Sequence, residues 1–415
     1  MWHRRFVCLW AGQTLANLGD VFYIVAFISV IYAASGSVMY TAFVPVVILS
    51  AQSVSGLTAP LFFRRWTLSR MLVLSQALKT ALLAAAAVCV DRETGTQWLW
   101  LLYSLGAMIA FMDGWANPAR NALVPQLVLR QELMRANGLL ATSDQTVHFA
   151  GWAAGGLLVA WLGASTVLWG TVAAYVLATL AMLGVKPKLA NAEGEAGLRV
   201  SPQQPQGDWL TGWKTIRNVP LLRQLVALDV VMGIAGAVWI AAILLPYVLE
   251  VLGQGEEWWG YINAGYLLGS IIGGTLLLKY AGRMNRQLPR WLVAGVSGSA
   301  LMTLLFGSTP YPLAALLFSF ALGPFLEIAL VSKQTILQQE TEQAALPYVL
   351  SAKGTLDALV FGLSSLVMGA LAQWLGTRAV YLLSGLLLAV AVGLAWRLWQ
   401  KWPAHAGEQE QGQTF

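Results

Sequence analysis

The sequence predicts an all-α membrane protein: twelve transmembrane helices in two pseudo-symmetric six-helix bundles. Three observations predict it. The 415 residues are 58% hydrophobic and 11% charged, with a mean hydropathy of +0.64, where a soluble domain carries about 25% charged residues. Apolar stretches recur at the length a bilayer core requires, about 20 residues per spanning helix. Residues of the second half also repeat residues of the first at a constant offset of 213 positions.

The apolar pattern places spans at 6–33, 39–63, 69–90, 97–118, 136–161, 164–185, 219–250, 258–280, 289–307, 311–333, 346–374 and 377–400. MWHRRF opens with positive charge, but no small-residue cleavage site follows it and the first apolar stretch is too long for a signal peptide. Lys and Arg gather on one side, as cytoplasmic loops do. Arg4 and Arg5 precede span 1, and Arg64, Arg65 and Arg70 lie between spans 2 and 3. Arg120, Arg130 and Arg135 fall between spans 4 and 5, and Lys186, Lys188, Arg199, Lys214 and Arg217 between spans 6 and 7. Lys279, Arg283, Arg286 and Arg290 follow span 8, and Arg397 and Lys401 close span 12. The opposite loops hold Arg92 and Arg378 against Asp91, Glu93, Glu250, Glu256 and Glu257. Both termini are therefore expected in the cytoplasm. The net charge of +6 follows from this bias and calls for no nucleic acid. Trp2, Trp98, Trp100, Trp258, Trp259, Trp399 and Trp402 stand at span ends, where interfacial anchoring accounts for them. Cys8 and Cys89 form neither a disulfide framework nor a metal site.

The polar run KPKLANAEGEAGLRVSPQQPQGDW, Lys186 to Trp209, reads as a flexible linker. It separates a bundle over 1–185 from one over 219–400, with 186–218 as linker and 401–415 as a cytoplasmic tail. The repeat crosses that division. Asp144, Gly156, Leu158, Trp161-Leu-Gly163 and Val167 recur as Asp357, Gly369, Leu371, Trp374-Leu-Gly376 and Val380. Gln126 matches Gln339, and Arg120 stands in register with Lys333. Spans 4–5 and 10–11 look like copies, whereas spans 1–3 and 7–9 show no comparable match. Two such halves around a midplane site suit a rocking-bundle transporter. Gly151, Gly155 and Gly156 on span 5, and Gly265, Gly269, Gly273 and Gly274 on span 8, would let helix backbones approach closely.

The stretch NPARNALVPQLVLRQELMRANGL, Asn117 to Leu139, resembles the span 4–5 loop of the major facilitator superfamily, and in particular its drug:proton antiporter-3 branch. GQTLANLGD (Gly12 to Asp20), RRWTLSRMLVLSQALK (Arg64 to Lys79) and the span 11 segment point the same way. Two departures stand out: Arg64 replaces the usual loop 2–3 aspartate, and Trp152 follows Gly151 where the antiporter motif has proline. The resemblance implies the major facilitator fold, with spans 1, 5, 7 and 11 lining a central cavity.

An ionisable group inside the bilayer is a functional hypothesis by default. Asp20 lies about 20 Å along span 1, and Asp144, Asp229 and Asp357 about 10–17 Å into theirs, at 1.5 Å per residue. All four are candidate proton-coupling groups, Asp20 first because related exporters often carry a span 1 carboxylate. The bland alternative for Asp20 is a satisfied polar group at a kink near Gly19. Asp144 and His148 share a helix face at a four-residue spacing, as a relay, a substrate-binding pair or a structural pair. Lys353 and Asp357 have the same spacing, and Lys79 on span 3 requires an acidic partner or a snorkelling route. Asp113 and Glu327 fall near the predicted ends of spans 4 and 10. They are expected to latch the cytoplasmic side through Arg64, Arg65 and Arg70 in one half and Arg283 and Arg286 in the other. Tyr23, Phe27, Trp115, Trp152 and Trp239, together with His148, Lys79 and Lys353, are candidate cavity residues, with ordinary packing as the alternative for each aromatic.

The expected function is proton-coupled export of amphipathic or drug-like molecules. Its partners would be a small-molecule substrate, protons and lipid, without nucleic acid, and the chain would act as a monomer in the bacterial cytoplasmic membrane. No metal or cofactor is expected, and no G-x-x-x-x-G-K-[ST] phosphate loop is present. Alternatives are a dedicated siderophore or metabolite exporter, a lysolipid transporter, or a transporter-like sensor. No nucleophile–base pattern supports an enzyme.

Overall fold

A computed structural model describes residues 4–92, 98–185 and 208–411. Trp2, Glu93, Lys186, Lys188 and Arg199, with most of the expected linker, lie outside those residues. The described chain is helical throughout: α1 (Arg4–Ser35), α2 (Val38–Phe63), α3 (Leu68–Arg92), α4 (Trp98–Leu127), α5 (Leu133–Leu162), α6 (Ala164–Leu183), α7 (Thr211–Asn218), α8 (Pro220–Gly236), α9 (Ala241–Pro246), α10 (Glu257–Asn285), α11 (Leu288–Ser308), α12 (Pro312–Glu340), α13 (Leu346–Leu375) and α14 (Thr377–Gln411). Eleven helices among the described residues are long and apolar enough to cross a membrane. The twelfth expected span, α5, is a continuous helix of 30 residues, but Arg135, Asp144, Gln145 and His148 make it more polar than the others.

Three expectations about these elements change. Spans 4 and 10 extend well past their predicted ends, to Leu127 and Glu340, with Pro118, Pro125 and Pro324 accommodated inside the helices. The end of the expected linker folds as α7. Span 7 is broken rather than continuous: α8 ends at Gly236, a single 3-10 turn follows, and Ile240 is extended (φ −71°, ψ 154°) before α9 begins. Such a break frees carbonyls that lipid cannot satisfy. Here Ser384 donates to the Ala235 carbonyl at 2.7 Å and Tyr381 to the Val238 carbonyl at 3.0 Å. Trp239, Tyr247, Phe306 and Tyr381 pack around the break with ring centroids 4.7–5.3 Å apart. Tyr381→Phe should therefore cost about 1 kcal/mol, read as earlier thermal unfolding in detergent, while Tyr280→Phe, an exposed hydroxyl, should change nothing.

The chain divides into two compact units. Unit 1 is Met1–Arg130, Thr146–Lys214 and Thr341–Thr355, and unit 2 is Gln131–Gln145, Thr215–Glu340 and Leu356–Phe415. Compared with the two halves read from the sequence, the first turns of α5 fall in unit 2 and the first turns of α13 in unit 1. In unit 1, α6 packs on α1 and α3, and α4 packs on α2 and α3. In unit 2, α14 packs on α8 and α11, and α12 packs on α10 and α11. The two patterns correspond helix for helix. They extend the duplication to spans 1–3 and 7–9, where the residues themselves show none.

The repeated Trp-Leu-Gly has a backbone cause. Gly163 (φ +79°) joins α5 to α6 and Gly376 (φ +83°) joins α13 to α14, both left-handed. Their amides close the preceding helix onto the Val159 and Ala372 carbonyls, each at 3.0 Å. Alanine at either position should cost about 1–2 kcal/mol, measurable as lowered thermal stability.

Candidate functional site

Unit 1 contains a buried charge cluster. Lys79, on α3, is 1% exposed, and its ammonium donates to Asp20 Oδ1 on α1 at 2.7 Å and to Asp113 Oδ1 on α4 at 2.5 Å. The Tyr175 hydroxyl on α6 donates to the same Asp20 oxygen. Lys79 Nζ lies 5.0 Å from the centre of the Tyr175 ring, a cation–π contact that helps hold the ammonium in place. Four helices thus converge on one group.

Local sequence explains the convergence. A Cβ at Gly19 would come within 2.4 Å of the Tyr175 ring, so the missing side chain is what lets Tyr175 reach Asp20. One turn along α1, Tyr23 packs edge-on against Phe27 at 5.4 Å, and both are buried. This closes one side of the cluster with apolar surface. Two carboxylates share one ammonium, so with every group ionised the cluster carries one negative charge in excess.

Unit 2 holds a second set of buried polar groups. Asp229 on α8 and Lys333 on α12 form an ion pair with side chains only 5% and 7% exposed. Glu327, also on α12, is 2% exposed and accepts a hydrogen bond from Gln145 Nε2 of α5 at 3.4 Å. Asn137 ties the start of α5 to α12, donating to Thr335 at 2.9 Å and to Gln338 at 2.7 Å.

The expected sites fare unevenly. Lys79 finds two acidic partners rather than one, and Asp20 is one of them. Asp113 and Glu327, expected near span ends, stand in the middle of longer helices than predicted. Asp113 is engaged by Lys79, while Arg64, Arg65, Arg70, Arg283 and Arg286 are exposed. Trp115 is half-buried, donates to Thr58 at 3.0 Å and packs on Phe62 at 4.3 Å. Like Trp239 at the span 7 break, it is engaged in packing. Asp144, Lys353 and Asp357 are half-buried, and His148 and Trp152 are exposed on α5. Gly265, Gly269 and Gly273 meet α12, Gly274 meets Thr142, and Gly151 and Gly155 meet α1; Gly156 meets nothing within 4 Å. Sequence reasoning missed Tyr175, Gln145 and the pairing of Asp229 with Lys333. Lys333 closed the span 10 read from the sequence and lies deep only in the longer helix Pro312–Glu340, and nothing in the sequence around Tyr175 marks that residue. Among the described residues no group of His, Cys, Asp and Glu is arranged to hold a metal ion.

The family model of the Major Facilitator Superfamily matches residues 9–341. The chain belongs to this superfamily. It is similar to two uncharacterized MFS-type transporters of Bacillus subtilis. It is 30% identical to YfmI over 381 residues (92% of this chain, 93% of YfmI), and 25% identical to YjbB over 387 residues (92% of each). The fold matches the crystal structure of the superfamily transporter FucP in the outward conformation, with a TM-score of 0.77 over 95% of this chain and 99% of FucP. At 14% identity that likeness concerns the fold alone. As a superfamily member the protein is a multi-pass membrane protein, a secondary transporter of a small-molecule substrate and not an enzyme.

Proposed function

We propose that this transporter is a proton-coupled exporter of amphipathic or drug-like molecules, close in mechanism to the drug:proton antiporter-3 branch that its span 4–5 segment resembles. The carrying observation is the cluster of Lys79 with Asp20, Asp113 and Tyr175. Counted over these groups the cluster has one more acid than base, with Arg120 of α4 also acting on Asp113, and one proton taken up by its aspartates balances the two. Asp20 is the more accessible acid, at 23% against 14% for Asp113, and so the point of entry. Gaining the proton loosens one of the two ion pairs that hold α1 and α4 to α3, and losing it restores them. A proton thereby favours one conformation of the bundle over another, as coupling requires. In this reading the covalent halves 1–185 and 219–400 are the rocking bundles, both termini are cytoplasmic, and the chain acts as a monomer. Excess negative charge favours neutral or cationic cargo.

The test uses proteoliposomes containing a trapped pH dye and a panel of lipophilic cations, macrolides and siderophores. Cargo-driven proton movement should appear for a lipophilic cation or a macrolide. It should fall at least tenfold in Asp20→Asn and in Asp113→Asn, with cargo binding retained. Undiminished flux in both variants overturns the assignment, and flux driven by siderophores alone overturns the cargo class.

A further inference from the structure

We infer that unit 2 carries a binding site for the headgroup of an anionic phospholipid, at the end where α11 begins and the span of α14 finishes. The site is independent of the proton-coupled reading and uses none of its residues. Its centre is Arg290, in the first turn of α11. The guanidinium lies over the Trp399 ring of α14, 5.3 Å from its centre, and Nη1 donates to Gln287 Oε1 at 3.0 Å. A long, flexible side chain is thereby held in place before any ligand arrives. Arg290 is nevertheless exposed, and among the described residues its remaining N–H donors bond to no protein group.

Helix packing sets this geometry. α14 packs along α11, and Leu288 and Leu292 on α11 and Ala395 and Leu398 on α14 are buried, which leaves Arg290 and Trp399 at the edge of the contact. The ordinary partner of such an arginine is a carboxylate, and none is at hand. α11 has no acidic residue, and α14 has none from Thr377 to Trp402. Arg286, four residues before Arg290, adds a second exposed positive charge.

One turn deeper the surface is apolar. Ala294, on the Arg290 face of α11, is small and exposed, and Trp396 is 46% exposed, set edge-on to Trp399 at 4.6 Å. The apolar span of α14 ends at Trp402, which puts Arg290 and Trp399 at headgroup depth and Trp396 and Ala294 beside the first acyl carbons. A cation above exposed apolar surface complements a phosphodiester above its acyl chains. The guanidinium fork suits two phosphate oxygens. Among the described residues neither the Trp396 nor the Trp399 indole N–H has a protein acceptor, so both are open to the ester carbonyls below the phosphate. A zwitterionic headgroup would bring its own cation to a place that holds only positive charge. A soluble anion would meet the fork and leave the apolar surface uncovered.

The test titrates short-chain phosphatidylglycerol into the detergent-purified protein. Phosphatidylcholine of the same chain length and inorganic phosphate, at equal ionic strength, form the other arms. Binding is read by native mass spectrometry and as a shift in thermal unfolding. Phosphatidylglycerol should bind and raise the unfolding temperature, phosphatidylcholine should bind about tenfold more weakly, and phosphate should give no shift. Arg290→Gln should weaken phosphatidylglycerol about tenfold. Arg290→Lys, which keeps the charge over Trp399 but not the fork, should weaken it about fivefold and covers a failure of the first variant to fold. Lys279→Gln, which removes another exposed cation lying over an aromatic ring, should change nothing. Wild-type affinity in the Arg290 variants, equal binding of the two lipids, or a phosphate shift that matches the lipid's overturns the inference.

Discussion

Lys79→Met should destabilise the transporter by about 3 kcal/mol, because it leaves two half-buried carboxylates without the buried ammonium they share. Few single changes in the chain should cost as much. The sign of the pH dependence follows from the charges. At high pH both Asp20 and Asp113 are ionised in the variant and the deficit is fully expressed. As pH falls, protons replace the missing ammonium and the deficit shrinks. Thermal unfolding in detergent across a pH series therefore separates this account from a loss of packing, which would be the same at every pH. Adding Asp20→Asn and Asp113→Asn to Lys79→Met should recover most of the loss, since a neutral, hydrogen-bonded cluster replaces a charged and unbalanced one. The triple variant should fold and yet move no protons. If the triple variant is no more stable than Lys79→Met alone, the charge balance is not what holds α1, α3 and α4 together.

Why the cluster was only half legible beforehand is a matter of where the information lies. A lysine among apolar residues announces by itself that it needs a partner, so Lys79 and Asp20 could both be picked out from the chain. Which acid it meets depends on helix length and rotation. Taking Pro118 as the end of span 4 moved Asp113 towards the membrane surface, although a helix confined among neighbours accommodates that proline and runs on to Leu127. Span 10 likewise runs on to Glu340, past Pro324, which sets Glu327 in mid-helix. Tyr175 was invisible because its role depends on the absence of a side chain at Gly19, 156 positions away in the chain. The Trp-Leu-Gly repeat was visible because a left-handed linker fixes residue type directly. The matching packing of α1–α3 and α8–α11 was not, because apolar helices can pack alike with different side chains.

Gly269→Val should be the second severe lesion, and its cause is purely steric. A Cβ at Gly269 would lie 2.0 Å from the Phe320 carbonyl oxygen, and one at Gly323, facing it from α12, would lie 2.4 Å from the Ser270 amide. Each glycine meets backbone rather than the far end of a flexible side chain, so relief requires α10 and α12 to move apart as whole helices. Overpacking of this kind costs about 3 kcal/mol or more when the neighbours cannot shift. Gly156→Val provides the control, since a Cβ there meets nothing within 4 Å. It should leave thermal unfolding within about 1 kcal/mol of wild type, the helix propensities of glycine and valine being close.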